Sequence, residues 1–297
     1  MPSSTVSLTH FSDPHCPWAY SASPAHAVLR WRFGAQLDWR LVLIGLSEDP
    51  DRYVKSGYTP ARSAQGYRTF GRRFGMPFGG QPRERVTGTG TACRLVVAAR
   101  LRHGADAELA VFRALQLAQF TTTLLLDDPE DLVAALQERP IAGIDAAALV
   151  AAIGDEDVEA AYQSDRAQSR TAAGTPTEAQ GREANTDGAV RYTAPSIIFR
   201  TAEGASLEVG GFQPVEAYDT ALANLDVSLT RRPAAEDPVE VLSALPYAPV
   251  TREVAACMTT NLGELDEDAA EQALIAAAAE GRVRREAVGT SALWHLA

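Results

Sequence analysis

The chain has 297 residues, 46% of them apolar and 22% charged, which is enough apolar sequence to bury a substantial core. A net charge of -11 and a pI near 5.0 argue against a general nucleic-acid or membrane-surface binder. The three cysteines, Cys16, Cys93 and Cys257, are too scattered for a disulfide scaffold or a zinc site. The sequence shows no recognisable leader and no membrane-spanning run. Together with the unpaired cysteines, this predicts a cytoplasmic protein.

The first three predicted elements are a strand, a helix and a strand. A short apolar run predicts a strand over Thr5–Ser12, and apolar residues at helical spacing predict a helix over Trp18–Phe33. Pro17 suits the first turn of that helix, where its missing N–H costs nothing. Alternating apolar residues predict a second strand over Leu37–Leu46. This order forms a crossover unit, so we expect the two strands to pair in parallel.

The middle of the chain is predicted to be a helical insertion. Residues 49–90 are rich in Gly, Pro, Arg and aromatic residues and have no clean periodicity, so no element is predicted there. From residue 91 to about 188 the sequence is rich in alanine and has helical periodicity. The predicted helices are Thr91–His103, Ala107–Phe120, Asp128–Glu138, Asp145–Ile153, Asp155–Ala172 and Glu178–Thr186.

Strand signals return directly after Ala194-Pro195. The segments Ser196–Arg200 and Leu207–Val209 predict a hairpin, and Pro214–Leu225 predicts a helix. The predicted fold class is therefore α/β, with a mixed sheet in a domain of residues 1–230 that a helical insertion at about 50–188 divides.

A second unit is predicted over residues 238–297, after a charged, proline-containing linker at 230–238. Three helices followed by a hairpin form a winged-helix pattern. Nine acids against four arginines give this unit a net charge of -5, which argues against DNA binding because DNA affinity depends on neutralising phosphates. We expect a protein-contact or dimer surface instead. The predicted elements are Val239–Leu245, Thr251–Met258, Asp266–Glu280, Val283–Glu286 and Ala292–Leu296.

The strongest local signal for chemistry is Phe11–Tyr20, which places Cys16 between a strand end and a helix start. Backbone N–H groups and the helix dipole at such a position favour the thiolate, which is the nucleophilic form. His15 adds to this effect when it is protonated. We therefore expect the pKa of Cys16 to lie below the value of about 8.5 of a free thiol. The alternative is that Cys16 is a small buried residue without a chemical role.

Three segments resemble the DsbA-like thioredoxin superfamily, especially its FrnE-like branch. His15–Tyr20 is similar to the active-site motif, where Asp-Pro-x-Cys-Pro-Trp-Cys-Tyr is typical, and Thr193–Phe199 is similar to the cis-proline loop. Val111–Leu115 with Asp127-Asp128 resembles a helix pair of the family's insertion. The likeness covers about Val6–Leu225 and implies a thioredoxin fold. It also implies catalytic roles for Cys16, His15, Pro17 and Trp18, and substrate contacts for Ala194, Pro195 and Ser196.

The sequence departs from this family at Ala19, where the redox members carry a second cysteine. Cys16 then forms a mixed disulfide that another thiol must resolve, so the expected function is a single-cysteine thiol–disulfide oxidoreductase or isomerase. A first alternative is a small-thiol S-transferase or isomerase. It would resemble the kappa-class glutathione transferases and the hydroxychromene-carboxylate isomerases, which use a serine near this point. A second alternative is a non-catalytic adaptor that binds a partner through the C-terminal unit.

A basic stretch lies between the second strand and the helical block. Residues 60–90 contain six arginines and one acid, with aromatic residues between them. In the family this stretch approaches the active-site cleft, so Arg72 and Arg73 are predicted to bind the carboxylates of a small thiol. A solvated loop or a partner contact is the alternative. We expect a low-molecular-weight thiol as co-substrate, no other cofactor and no metal, and we expect Cys93 and Cys257 to be helix-core residues.

Overall fold

The computed structural model describes residues 6–297, so Thr5 of the first predicted strand lies outside the described residues. The strands are β1 (Val6–Ser12), β2 (Leu37–Leu43), β3 (Glu183–Asn185), β4 (Val190–Tyr192), β5 (Ser196–Arg200), β6 (Ser206–Val209), β7 (Val283–Val288) and β8 (Ser291–Leu296). The first seven helices are α1 (Pro17–Ser21), α2 (Ser23–Phe33), α3 (Asp51–Lys55), α4 (Pro60–Phe74), α5 (Gly90–His103), α6 (Ala105–Thr121) and α7 (Pro129–Glu138). The remaining helices are α8 (Ala146–Ala151), α9 (Glu156–Ser169), α10 (Pro176–Ala179), α11 (Val215–Leu225), α12 (Pro238–Ala244), α13 (Thr251–Met258) and α14 (Glu267–Ala279). None of these helices is both long and apolar enough to cross a membrane.

A mixed sheet in the order β2-β1-β5-β6 forms the centre of the fold. β1 pairs in parallel with β2 and antiparallel with β5, and β5 pairs antiparallel with β6. The predicted parallel crossover is therefore confirmed, and so is the α/β thioredoxin-type fold with a helical insertion. Phe11 pairs with Val42 on one side and with Ser196 on the other, so the ends of three strands meet next to the turn that follows β1.

The predicted helix Trp18–Phe33 is two helices, α1 and α2, and this prediction was wrong in its continuity. The break falls at Ala22, just before Pro24. Proline has no backbone N–H and its ring clashes with the carbonyl four residues earlier, so it favours the first turn of a new helix over the interior of an old one. The short helix α1 therefore carries the active-site motif separately from α2.

Residues 49–90, where no element was predicted, contain α3 and α4. The boundaries of α4 follow ordinary capping rules: Thr59 accepts a hydrogen bond from the Arg62 N–H, Pro60 occupies the first turn, and Gly75 ends the helix at φ +76°. The aromatic residues of α4 are partly buried and its arginines are exposed, and this helical period was obscured in a stretch dominated by arginine and glycine.

The predicted helix Glu178–Thr186 was also wrong in part. Only the short helix α10 forms there, and Glu183–Asn185 is instead β3, which pairs antiparallel with β4. Gly181, at φ +64°, ends the helix because L side chains rarely adopt this conformation. The β3–β4 hairpin leads directly into the Ala194-Pro195 loop.

The C-terminal elements occur where the sequence predicts them, but their core is shared with the first domain. Ala27, Val28 and Trp31 of α2 belong to the same buried cluster as Val254 and Trp294. The predicted linker is also tied to both parts: Trp31 Nε1 donates to the Pro233 carbonyl at 2.7 Å, and Ala235 N donates to the Cys257 carbonyl at 3.0 Å. Residues 230–238 are therefore not a loose linker.

Candidate active site

Cys16 lies in the turn between β1 and α1, where the sequence predicts it. It is the N-cap residue of α1, with φ -82° and ψ 112°, and Pro17 follows as the first helical residue. The Cys16 N–H donates to the Asp13 carbonyl at 3.1 Å, which closes the turn. The sulfur atom therefore lies at the end of the central strand and beside the first N–H groups of the helix.

The thiol of Cys16 is in contact with the loop that precedes β5. Its Sγ donates to the Ala194 carbonyl at 3.2 Å, and the Ala194-Pro195 peptide bond is cis. Cys16 is 5% exposed and Ala194 is 7% exposed. The structure thus brings together the cysteine motif and the proline loop, which are 178 residues apart in the chain.

The thiol is not acidic in this structure, which corrects the expectation from the sequence. Burial raises the pKa of Cys16 to about 12, and the N–H groups of Ala19 and Trp18 only partly oppose this effect. The negative charge of Asp13 raises the pKa further, whereas Arg191 lowers it. The sequence shows that Cys16 stands at a helix start, but it does not show that the neighbouring loop excludes water from the sulfur.

His15 does not supply the positive charge that was expected of it. Burial lowers the pKa of His15 to about 3, and the nearby Arg83 lowers it as well, so the imidazole is neutral at pH 7. His15 still lines the cleft described below. Its expected role as a cation beside the thiol is therefore wrong, and the physical reason is desolvation of the ring.

Asp13 is a site residue to which the sequence analysis gave no role. Its buried carboxylate accepts hydrogen bonds from His15 N at 2.8 Å, Leu46 N at 2.9 Å and Thr89 Oγ1 at 2.9 Å. Cys93 Sγ also donates to it at 3.6 Å, and burial raises the pKa of this carboxyl. Asp13 thereby fastens the Cys16 turn to the chain after β2 and to the start of α5. Its place in the Asp-Pro pair of the motif was the available signal.

A cleft of about 860 Å³ opens beside Cys16. Trp18 is 40% exposed on its wall, and the Trp18 ring makes edge contacts with Phe70, Phe74 and Phe212, with centroids 5.0 to 5.6 Å apart. Pro17 and Ala194 also line this wall. Trp18 therefore forms part of an aromatic surface next to the sulfur, as a partly exposed wall and not as a core residue.

The cleft is strongly cationic. One acid, Glu183, lies among the lining residues, and of the cleft arginines only Arg85 forms an ion pair within residues 6–297, with Asp127 at 2.7 Å. The others retain charge for an anionic ligand. The arginines that line the cleft are Arg52, Arg62, Arg83, Arg85, Arg182 and Arg191.

Arg72 and Arg73, the predicted carboxylate ligands, do not line the cleft. Both are exposed on the last turn of α4, and the Arg73 guanidinium lies 5.9 Å from the centroid of the Trp18 ring. The earlier turns of α4 line the cleft instead. The prediction that Arg72 and Arg73 bind the ligand was therefore wrong, but Arg62, Arg83 and Arg85 of the same basic stretch do line the cleft. No helix was predicted there, and the direction of each side chain depends on the helix.

Arg191 is the buried arginine that the sequence analysis missed. It is 5% exposed, and its donors reach the Tyr192 carbonyl at 3.0 Å and Thr186 Oγ1 at 3.3 Å. Its charge acts on Cys16 and lowers the pKa of that thiol. An arginine inside an otherwise apolar strand, just before the Ala194-Pro195 loop, was the signal.

Ser196 does not line the cleft, although Thr193 and Gly211 beside it do. Its hydroxyl accepts a hydrogen bond from Gly211 N at 3.0 Å and lies 3.4 Å from Thr193 Oγ1, so it fastens β5 to the segment after β6. The predicted substrate contact of Ser196 has no support in this geometry, because the residue already belongs to the strand. Pro195 holds the loop and is likewise absent from the cleft lining among the described residues.

The three cysteines are free and lie in different surroundings. Cys93 belongs to the buried cluster of the helical insertion, and Cys257 belongs to the cluster shared by α2 and the C-terminal helices. Burial raises the pKa of both thiols. Both are helix-core residues, as the sequence indicates.

Comparison with known proteins gives a family and a fold. A family model described as the DSBA-like thioredoxin domain matches residues 7–194. No curated protein matches the sequence. The family match therefore includes the Cys16 turn, the helical insertion and Ala194, and it leaves out the C-terminal unit.

Solved structures show the same fold. A proposed protein disulfide isomerase from Nitrosomonas europaea is 16% identical, with a TM-score of 0.55, and the match covers 74% of this chain and 97% of that one. The cytosolic disulfide reductase DsbM from Pseudomonas aeruginosa is 20% identical, with a TM-score of 0.51, and the match covers 74% of this chain and 100% of that one. DsbM has also been solved with GSH, and that structure is 20% identical with a TM-score of 0.50.

Proposed function

Because the chain belongs to the DSBA-like thioredoxin domain family, we propose that it is a thiol-dependent oxidoreductase that exchanges small anionic disulfides through the single cysteine Cys16. The observation that carries this proposal is the place of the sulfur. Cys16 Sγ lies at the start of α1, 3.2 Å from the Ala194 carbonyl, on the wall of an arginine-lined cleft. Disulfide reductase and isomerase neighbours support thiol–disulfide chemistry in general.

The exchange has two steps that balance without another reactant. Cys16 loses its proton to water, and its thiolate attacks one sulfur of a bound disulfide, so that a mixed disulfide forms and the other half leaves as a thiolate. A small thiolate then attacks the outer sulfur of the mixed disulfide and releases Cys16. One disulfide and one thiolate are consumed, and one disulfide and one thiolate are produced.

The lining of the cleft supports a low-molecular-weight thiol as co-substrate. A volume of about 860 Å³ holds a ligand larger than an amino acid, and the unpaired arginines suit carboxylates. Trp18 offers an apolar surface beside the sulfur. The structure of DsbM with GSH shows that a neighbour with this fold takes up such a thiol.

The raised pKa of Cys16 favours a second candidate function, a small-thiol S-transferase or isomerase. In that reaction the bound thiol is the nucleophile, and the protonated Cys16 donates a hydrogen bond to it, as a serine hydroxyl would. The same cleft and the same cationic lining serve both reactions. The two differ in whether the Cys16 sulfur forms a covalent bond.

Substitution of Cys16 separates the two candidates. Exchange requires the sulfur, so Cys16→Ser and Cys16→Ala both abolish turnover of glutathione disulfide with a second thiol. If the protein is a transferase, Cys16→Ser retains the transfer activity, because the hydroxyl can still donate a hydrogen bond to the bound thiol, and Cys16→Ala loses that activity. Wild-type protein that neither turns over nor acquires an adduct would support the adaptor instead.

Intact-mass analysis tests the single-cysteine mechanism directly. Protein treated with a small disulfide gains one half-disulfide, and peptide mapping places it on Cys16. Ala19→Cys instead yields an internal disulfide and a higher reductase activity, because α1 places residue 19 one turn along from the sulfur. A mapped bridge from Cys16 to Cys93 or Cys257 in the wild-type protein contradicts the mechanism.

Location and partners belong to the same proposal. The three cysteines are free thiols, which supports a reducing, cytoplasmic compartment. The C-terminal unit, with its net negative charge, serves as a protein-contact surface and not as a nucleic-acid binder.

A further inference from the structure

A second cavity, here called the inner cavity, has a volume of about 130 Å³ and shares no lining residue with the cleft among the described residues. The helix α1 contributes Pro17 and Trp18 to the cleft and Ala19 to the inner cavity. The remaining lining comes chiefly from α2, α6 and the facing strands. The inner cavity therefore lies next to the active-site helix but is a separate space.

Polar atoms without partners are concentrated around this cavity. His10 is 9% exposed and His26 is 7% exposed, and the two rings make an edge contact with centroids 4.6 Å apart. The buried lining atoms that find no hydrogen-bond partner within residues 6–297 are His10 Nε2, His26 Nε2, Trp39 Nε1 and Arg113 Nε. Buried polar groups are normally hydrogen-bonded, so this concentration requires a ligand or ordered water.

The chemistry of these atoms selects the ligand. The indole N–H of Trp39 and the Nε–H of Arg113 are donors only, and each imidazole can donate. Arg30, which also lines the cavity, stacks 3.9 Å from the centroid of the Trp39 ring and forms no ion pair with a described residue. A ligand that accepts hydrogen bonds and carries negative charge satisfies all of these groups.

We propose that the inner cavity binds a small oxyanion, a carboxylate or a phosphate, between Arg30, His10 and His26. The volume exceeds what one water requires and is well below that of a drug-sized pocket, so a small ion fits and a larger ligand does not. No group of three or more His, Cys, Asp or Glu side chains within the described chain is arranged to hold a metal ion.

Bound anion and protonated imidazole stabilise each other. Without a ligand, burial lowers the pKa of His10 and of His26, whose pKa falls to about 3. An anion between them raises both pKa values, so its affinity increases as the pH falls. The other charged or titratable groups that face the pair are Arg30 on α2, Asp106, Glu108 and Arg113 on α6, Tyr218 on α11, and Tyr247.

Histidine NMR signals of the full chain test the proposal directly. The chain has five histidines, and His10→Gln and His26→Gln identify the two ring signals. Sodium phosphate and sodium acetate are titrated at pH 6 and pH 8 against sodium chloride at equal ionic strength. The proposal expects that both oxyanions shift both signals in a saturable way and bind more tightly at pH 6 than at pH 8. Chloride should shift neither signal.

Matched arginine variants locate the site. Arg30→Gln weakens oxyanion affinity by about tenfold or more, because a charge-assisted contact is lost. Arg200→Gln, an exposed control, and Arg62→Gln, on the cleft, leave it unchanged. If Arg30→Gln fails to fold, the oxyanion affinities of His26→Gln and of the wild-type protein test the proposal instead.

Three results would overturn the proposal. Signals that do not shift with either oxyanion show that the inner cavity holds water only. Equal shifts with chloride show ionic screening. Loss of binding in Arg62→Gln with retention in Arg30→Gln places the anion in the cleft.

Discussion

Arg113 and Arg191 are almost equally buried, at 6% and 5% exposure, yet their surroundings differ. Arg113 on α6 pairs with Glu253 of α13 at 2.6 Å and donates to Ser23 Oγ at 3.2 Å. Arg191 on β4 reaches a carbonyl and a hydroxyl, but no carboxylate among the described residues pairs with it.

The charge of Arg113 is neutralised by a carboxylate of the fold, whereas the charge of Arg191 can still interact with a ligand or a thiolate. Arg113 and Glu253 neutralise each other where the insertion, the first domain and the C-terminal unit meet, and the Glu253 carboxylate also accepts from Val250 N at 2.8 Å. Arg191 retains its charge beside Cys16 and the cleft. A buried arginine that is paired with a carboxylate holds the fold together, whereas one without a carboxylate is placed to act on a ligand or a thiolate.

The largest expected effect is on the reactivity of Cys16 itself. A pKa of about 12 instead of 9.0 leaves about a thousandfold less thiolate at pH 7 than a free cysteine has. Since the pKa is raised, alkylation by iodoacetamide should accelerate about tenfold for each pH unit from 7 to 10. Stopped-flow rates, with Cys16→Ser as the blank, measure this. A plateau below pH 9 would mean that Arg191 and the helix outweigh burial.

The next effect is on stability at the junction. Glu253→Gln leaves Arg113 buried without its counter-charge and should lower the free energy of unfolding by about 3 kcal/mol. Glu267→Gln is the matched control, because its pair with Arg252 at 3.2 Å is partly exposed and should cost less than about 1 kcal/mol. Urea unfolding followed by tryptophan fluorescence measures both. Equal losses of unfolding free energy in the two variants would show that the buried pair with Arg113 is no more important for stability than the partly exposed pair with Arg252.

A smaller effect is expected from Arg191→Gln. Without this charge the pKa of Cys16 rises further, and alkylation at a fixed pH slows by less than about tenfold, because burial dominates the shift. Arg182→Gln, an exposed arginine of the same cleft, should leave the rate unchanged. Stability should change little in Arg191→Gln, because no carboxylate loses its partner. A large loss of stability with an unchanged rate would make Arg191 structural, like Arg113.

The smallest effect concerns residues 230–238. The sequence predicts a proteolytically sensitive joint here, but Arg232 N donates to the Arg32 carbonyl at 2.9 Å and Ala235 is buried. Limited trypsin digestion should therefore spare the Arg231–Arg232 bond in the folded chain. Early cleavage at this bond in wild-type protein, before other sites, would show that the junction opens as a unit.

The sequence was sufficient for the order of the main elements, because local patterns specify them, and the resemblance to the DsbA-like family identified the two segments that meet at Cys16. It did not predict the thiol's environment, since water exclusion by Ala194 depends on packing between distant segments. The cleft arginines were assigned incorrectly for the same reason: α4 was not recognised, and its geometry places the exposed Arg62 on the cleft and the exposed Arg72 away from it. Asp13 was visible in the motif, but its partners Leu46 and Thr89 come from separate parts of the chain.

The cluster shared by α2 and the C-terminal helices affects how the chain is made. Ala27, Val28 and Trp31 leave the ribosome long before the residues that cover them, among them Val254 and Trp294, are synthesised. The apolar face of α2 therefore stays uncovered through most of synthesis, when exposed apolar surface promotes aggregation. A chain released near residue 230 would keep that face open permanently. We therefore expect nascent chains of that length to bind chaperones more strongly than the chain of 297 residues does.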